Sequence, residues 1–105
     1  MKYGLREHVV ENINGVFAQH IEVKRVTLYG SRAKGNYKNG SDIDLTMHGG
    51  SDLTLNVMYK IMTELDDLLL PYMIDLSIFS TIGDPDVVEH IQRVGVLFYE
   101  TEVTG

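Results

Sequence analysis

The sequence predicts an α+β fold: a small mixed β-sheet of about four strands with helices packed on it. Two observations carry that expectation. Short apolar or alternating runs at residues 22–29, 42–48, 73–79 and 96–99 have the length and pattern of strands, and most are bounded by glycine, proline or polar residues. Around them lie stretches with apolar residues at helical spacing, at 5–20, 53–70 and 85–94. At 105 residues the chain suits one domain, spanning 1–105, with a modest core.

Each element has its own reason. Leu5, Val9, Ile13, Val16 and Phe17 make one face of a first helix, with Arg6, Glu7, Glu11 and Gln19 between them. Val23, Val26 and Leu28 mark the first strand, which ends at the Gly30 turn. A short helix follows over Arg32, Ala33 and Lys34, capped by Ser31 and closed by a left-handed Gly35. A loop over 35–40 leads to the second strand. Ser51 or Asp52 caps a helix whose stripe is Leu55, Met58, Met62, Leu65 and Leu69, the methionines acting as core filler. Pro71 stops it. The third strand carries Ile74, Leu76 and Ile78 on one face, with Asp75 and Ser77 on the other. Asp84-Pro85 starts a last helix that Gly95 ends, and a final apolar strand precedes the polar tail ETEVTG.

The chemistry concentrates in the run YGSRAKGNYKNGSDIDL, residues 29–45. Asp42 and Asp44 alternate with Ile43 and Leu45, so both carboxylates face a cleft while the apolar pair faces a core. Two carboxylates roughly 5 Å apart repel by about 3 kcal/mol at an effective dielectric of about 20. A cation offsets that cost, and hard oxygen ligands suit Mg²⁺ with substrate phosphates. Gly30 lets the chain turn sharply off the strand. The free N–H groups of a helix start just beyond it form an anion site. Phosphates on one side and a metal on the other is a layout for phosphoryl or nucleotidyl transfer. No Gly-Lys-Ser/Thr follows the glycine turn, so this is not a P-loop. Asn36, Tyr37 and Lys38 do not supply the alternating oxygens of a calcium loop.

Composition narrows the partners. Apolar residues make up 44% of the chain, as in a globular protein. Fifteen acids against nine bases leave a net charge of −6, which argues against a nucleic-acid substrate. The chain has no cysteine, no membrane-length apolar run and no signal-peptide block, which points to the cytoplasm and away from membranes. His8, His20, His48 and His90 have no metal-ligand spacing, although His48 shares the strand face of Asp42 and Asp44 and belongs to the rim.

Gly-Ser, ten residues, then Asp-x-Asp, bracketed by two apolar strands, resembles the signature of the DNA polymerase beta-like nucleotidyltransferases. With so short a chain, the sequence is most similar to the minimal, one-domain branch. The resemblance implies the polymerase beta-like catalytic fold and a third carboxylate on the strand after the second long helix, which is Asp75. It implies that Asp42, Asp44 and Asp75 are catalytic and hold two Mg²⁺ ions. Gly30, Ser31, Lys34, Arg32 and Ser41 would bind the nucleotide, the first two gripping the β- and γ-phosphates of ATP and the basic pair neutralising phosphate charge. It implies AMP transfer to a hydroxyl, with pyrophosphate leaving. Minimal members are paired with a small all-helical HEPN-type protein, in modules where the transferase adenylylates a tyrosine of the HEPN toxin. A partner subunit, or a second copy when the chain is alone, would cover the sheet surface that so few helices leave bare. Two alternatives stay open: transfer to a small-molecule hydroxyl with a partner subunit, and a non-catalytic nucleotide- or partner-binding subunit.

Overall fold

The computed structural model describes residues 1–101; Glu102 to Gly105, most of the expected polar tail, lie outside the described residues. Along the chain run α1 (Glu7–Ala18), β1 (Arg25–Tyr29), α2 (Gly30–Lys34), β2 (Ile43–His48), α3 (Leu55–Asp66), β3 (Ile74–Ile78), a 3-10 turn (Phe79–Thr81), α4 (Pro85–Val94) and β4 (Val96–Glu100). The strands form one mixed sheet in the order β3-β2-β1-β4. β1 pairs antiparallel with β2 and β4, while β2 and β3 run parallel across the α3 connection.

Strand alternation splits the sheet into two unlike faces. On one, Val26, Leu28, Ile43, Leu45, Met47, Leu76, Ile78 and Phe98 are buried. They form a single core cluster with Val9, Ile13, Val16 and Phe17 of α1 and with Ile61 and Leu65 of α3. Burying a side chain of this size contributes about 1.5–3 kcal/mol, so this layer supplies most of the cohesion. The other face carries Thr27 and Tyr29 of β1, Asp44, Thr46 and His48 of β2, and Asp75 and Ser77 of β3. α4 lies on that side: its His90 ring meets Tyr29 edge-on at 6.2 Å, and its buried Ile91 stands apart from the main core.

Several element ends differ from the sequence expectation. The second long helix starts at Leu55, because the Thr54 hydroxyl, and not Ser51 or Asp52, accepts the Val57 N–H at 3.4 Å. It stops at Asp66, well before Pro71, and Leu69 then turns with φ of +54°. Ser31 does not cap the short helix. That helix begins at Gly30, two residues before the expected Arg32, and no side chain caps it. Gly35 does close it, at φ +86°. β1 begins at Arg25, not at residue 22, because Glu22 lies in a turn while Val23 is already buried. Met62, expected in the core, is 37% exposed. Asp84 caps α4 as expected, accepting the Asp86 N–H at 2.9 Å.

Candidate active site

The site sits where β1 ends and β2 and β3 begin. Tyr29 pairs with Asp44 across β1 and β2, and Asp44 pairs with Asp75 across β2 and β3. Residues paired across neighbouring strands project to the same face, so the three side chains form one row. Asp42 immediately precedes β2 and is exposed, two residues before Asp44 on the same face. The topology thus brings the three expected acids to one end of one sheet face. Among the described residues, no His, Asp or Glu side chains close into a ready-made cluster of three around a point.

The electrostatics record their closeness. The Asp44 carboxyl is held above its ordinary value, first by burial and then by the charges of Asp75 and Asp42, with His90 pulling the other way. The Tyr29 phenol is also pushed up, chiefly by burial; a hydrogen bond with Ser77 opposes this, while Asp75 and Asp44 reinforce it. The Ser77 hydroxyl donates to Thr46 Oγ1 at 2.9 Å. A line of hydroxyls therefore runs from Tyr29, level with Asp44, to Ser77 and fully buried Thr46, which form the next pair on the same face of β2 and β3, and it makes a floor beside the acids.

The Gly30 corner closes the other side. Gly30 has φ +73°, and a Cβ placed there would overlap Asp44 Oδ2. Only glycine lets the backbone of α2 come this close to the carboxylate. Ser31 is the second residue of α2 and is half-buried; its carbonyl accepts the N–H groups of Gly35 and Asn36. Lys34 is exposed in the last turn of α2.

Arg32 and Ser41 are engaged elsewhere. The Arg32 side chain is 3% exposed and turns inward. Its Nη1 donates to the Tyr3 carbonyl at 2.9 Å, and its Nε and Nη2 donate to the Ser41 carbonyl at 3.1 and 2.8 Å. The guanidinium lies 5.2 Å from the Tyr37 ring centroid and 5.0 Å from that of Tyr72. A guanidinium so occupied is a strut, not a free phosphate ligand: planar, with forked donors, it ties the N-terminal segment and α2 to the loop that delivers Asp42. Ser41 Oγ accepts the Lys38 N–H at 2.9 Å, which closes the turn before Asp42.

His48 lies at the far end of the same face. Thr27 Oγ1 is 2.9 Å from its Nε2, Arg25 is 3.4 Å from its Nδ1, and its ring packs on Phe79 at 4.8 Å. Burial, and then Arg25, hold its pKa below the ordinary value. Alternation puts Ser77 on the face of Asp75, as the structure has it, but sequence reasoning missed Tyr29 and His90 as neighbours of the acids. Tyr29 was legible by alternation, two residues from Thr27 on the acid face; His90 depends on how α4 crosses the sheet, which no local pattern encodes.

No helix among the described residues is long and apolar enough to cross a membrane. No curated protein matches the sequence. Solved structures do match in fold. A toxin–antitoxin complex with AMP-PNP aligns with a TM-score of 0.70 at 18% identity, over 89% of this chain and 74% of that one. The Shewanella oneidensis complex of a tri-AMPylated HEPN toxin with its MNT antitoxin aligns with a TM-score of 0.67 at 14% identity, covering 93% and 75%. A protein described as a minimal nucleotidyltransferase aligns with a TM-score of 0.69 at 24% identity, covering 91% and 95%. The family model for polymerase beta nucleotidyltransferases matches residues 11–104, nearly the whole chain and both halves of the Gly-Ser and Asp-x-Asp signature, so the protein belongs to the polymerase beta nucleotidyltransferase family.

Proposed function

We propose that the protein is a Mg²⁺-dependent adenylyltransferase that moves AMP from ATP to a hydroxyl, the acceptor being a tyrosine of a small helical HEPN-type partner. The observation that carries the chemistry is the row Tyr29, Asp44, Asp75, with Asp42 just ahead of it and the Gly30 backbone against Asp44. The fit of a divalent cation rests on the same row. Asp44 is hard to ionise because two other carboxylates and burial oppose its charge, and a cation between them reverses that penalty. Asp42, Asp44 and Asp75 would hold the metal, which supplies charge neutralisation at the phosphates and a more acidic attacking hydroxyl.

The chain's own residues supply the rest. The N–H groups at the Gly30–Ser31 corner bind the β- and γ-phosphates, with Lys34 adding positive charge from the exposed end of α2. The acceptor oxygen bonds to the α-phosphorus, and the bond to pyrophosphate breaks with its electron pair leaving on pyrophosphate. Asp75, exposed at the sheet edge, takes the hydroxyl proton. Arg32 and the Tyr29–Ser77–Thr46 line keep the acids in place. The partner assignment draws on two of the matched structures, which are toxin–antitoxin complexes, one of them with an AMPylated HEPN toxin.

The test is direct. The purified protein is incubated with Mg-ATP and a HEPN-type helical protein encoded beside it, and both are weighed by mass spectrometry. Gain of AMP on a partner tyrosine, absent with Asp75→Asn, is the expected result. An unmodified partner in the presence of a well-folded wild-type protein contradicts the proposal.

A further inference from the structure

β3 is the outermost strand of the sheet on the site's side. The Met73 carbonyl accepts the Ile43 N–H at 2.9 Å, so Met73 points its backbone groups toward β2. Alternation then turns those of Asp75 and Ser77 toward β2 as well, and those of Ile74, Leu76 and Ile78 outward. The Ile78 carbonyl is used locally by the Thr81 hydroxyl at 2.8 Å. Ile74 and Leu76 belong to the open edge. The sequence of this strand, IDLSI, contains no proline or lysine to blunt it.

Two further features adjoin this edge. A groove of about 290 Å³ runs beside its start, lined by Met62, Leu65 and Asp66 of α3 together with Tyr72, Met73 and Ile74. Met73 is 73% exposed, a large apolar side chain with nothing over it among the described residues. The second feature is charge. Asp42 and Asp75 are exposed on the acid face, and Asp66 lines the groove.

We propose that the open edge of β3 docks the acceptor as an extended polypeptide segment, which pairs with Ile74 and Leu76 and thereby sets its hydroxyl residue beside Asp75. The inference rests on the adenylyltransferase reading above and names how that reading's substrate is recognised. A segment paired at this edge alternates as β3 does. Its residue opposite Asp75 projects to the acid face. That residue's two neighbours project to the other face, where the Met62–Met73 groove receives apolar side chains. The residues two positions away return to the acid face, where lysine or arginine complements the carboxylates. The recognised sequence is therefore basic, apolar, hydroxyl, apolar, basic, and it lies outside any helix of the acceptor protein. The balance of the transfer is unchanged: the hydroxyl oxygen replaces pyrophosphate on the α-phosphorus, and its proton passes to Asp75.

The probe is the blocked peptide Gln-Lys-Val-Tyr-Leu-Lys-Gln at millimolar concentration with Mg-ATP, read by mass for added AMP. Two backbone N-methylated versions accompany it, one methylated on Val and Leu, the other on Tyr. Strand pairing uses the N–H groups of only one of these sets, so the expected result is a tenfold or greater difference between their rates. Equal rates overturn the inference. Ile74→Pro is the protein-side arm: its lost N–H faces outward, so the β2 ladder is kept. The variant is expected to lose peptide modification at least tenfold while Mg-ATP still raises its melting temperature. Undiminished modification overturns the inference. So does the absence of AMP on every peptide while Mg-ATP stabilises the wild-type protein, which leaves the transferase reading to be judged on the helical partner; no response to Mg-ATP at all would sink that reading too.

Discussion

Asp44 lies against the bare Cα of Gly30, so close that a methyl group there would overlap its Oδ2. The corner that offers backbone N–H groups and the carboxylate at the centre of the acid row are thus in direct contact. Gly30→Ala strains a backbone at φ +73° and displaces Asp44 at once. We expect a loss of about 1–3 kcal/mol in stability, read by urea unfolding, together with loss of AMP transfer. A variant that keeps wild-type stability and activity would show that the corner tolerates a Cβ.

Asp44 also sets a pH dependence. Its folded-state pKa lies above the ordinary 3.8, so ionising it costs the native state stability. The cost is absent below the unfolded value and complete once the pH exceeds the raised one. Without metal, Asp44→Asn should therefore melt above the wild type at pH 7, with the gain fading as the pH falls to the ordinary value and below. The carboxyl is only half-buried, so a shift on the order of 1–3 °C is expected. AMP transfer should be abolished in the same variant. A lower melting temperature at pH 7 would mean that the carboxylate is held by an attraction stronger than the repulsion from Asp75 and Asp42.

Arg32 gives a stability prediction without a charge change. Lysine cannot reproduce the fork that reaches both Tyr3 and Ser41, nor fill the space between Tyr37 and Tyr72 as a planar group. Arg32→Lys should cost about 2–4 kcal/mol, measured by chemical denaturation. If the guanidinium served a phosphate instead, lysine would hold stability and weaken only nucleotide binding.

Ligand binding is the fourth prediction. Mg-ATP at about 100 times its dissociation constant should stabilise the wild type by about 2.7 kcal/mol. Asp42→Asn and Asp75→Asn should each reduce that gain, and ATP with EDTA should give little of it. Calorimetric melting with and without chelator reads the effect. Equal stabilisation with and without metal would place the nucleotide away from the acids.

Tyr29→Phe tests the floor of the site. It removes the phenol's hydrogen bond to Ser77 but leaves the ring against His90, and Ser77 keeps Thr46. A cost of about 1 kcal/mol is expected, with transfer reduced but not lost. Complete loss of transfer at unchanged stability would make the phenol a participant in the chemistry.

The residues that carried the sequence reading were those whose geometry is local. Ile43 and Leu45 had to face the core once Asp42 and Asp44 faced away, and Asp75 stood out between Ile74 and Leu76 for the same reason. Gly35 closed α2 because only a left-handed residue could. What escaped was decided by partners distant in sequence. Arg32 looks like a phosphate ligand beside Gly30-Ser31. It is turned inward by the carbonyl of Tyr3 and by two tyrosine rings, which no spacing rule connects to it. Ser31 looked like a cap, but the permissive φ of Gly30 let the helix start two residues sooner. Met62 satisfies the helical stripe of α3 yet points at the groove, because the stripe is wider than the face the sheet can bury.

The Arg32 strut ties residues 2–5 to the loop that carries Asp42. Lys2 and Leu5 bridge to each other, and the tight bend between them aims the Tyr3 carbonyl at the guanidinium that also grips the residue just ahead of Asp42. Trimming this bend, fusing a tag to it or seating another protein on it would be felt at the acids through a single side chain. The bend thus forms a handle by which the candidate site could be tuned from outside.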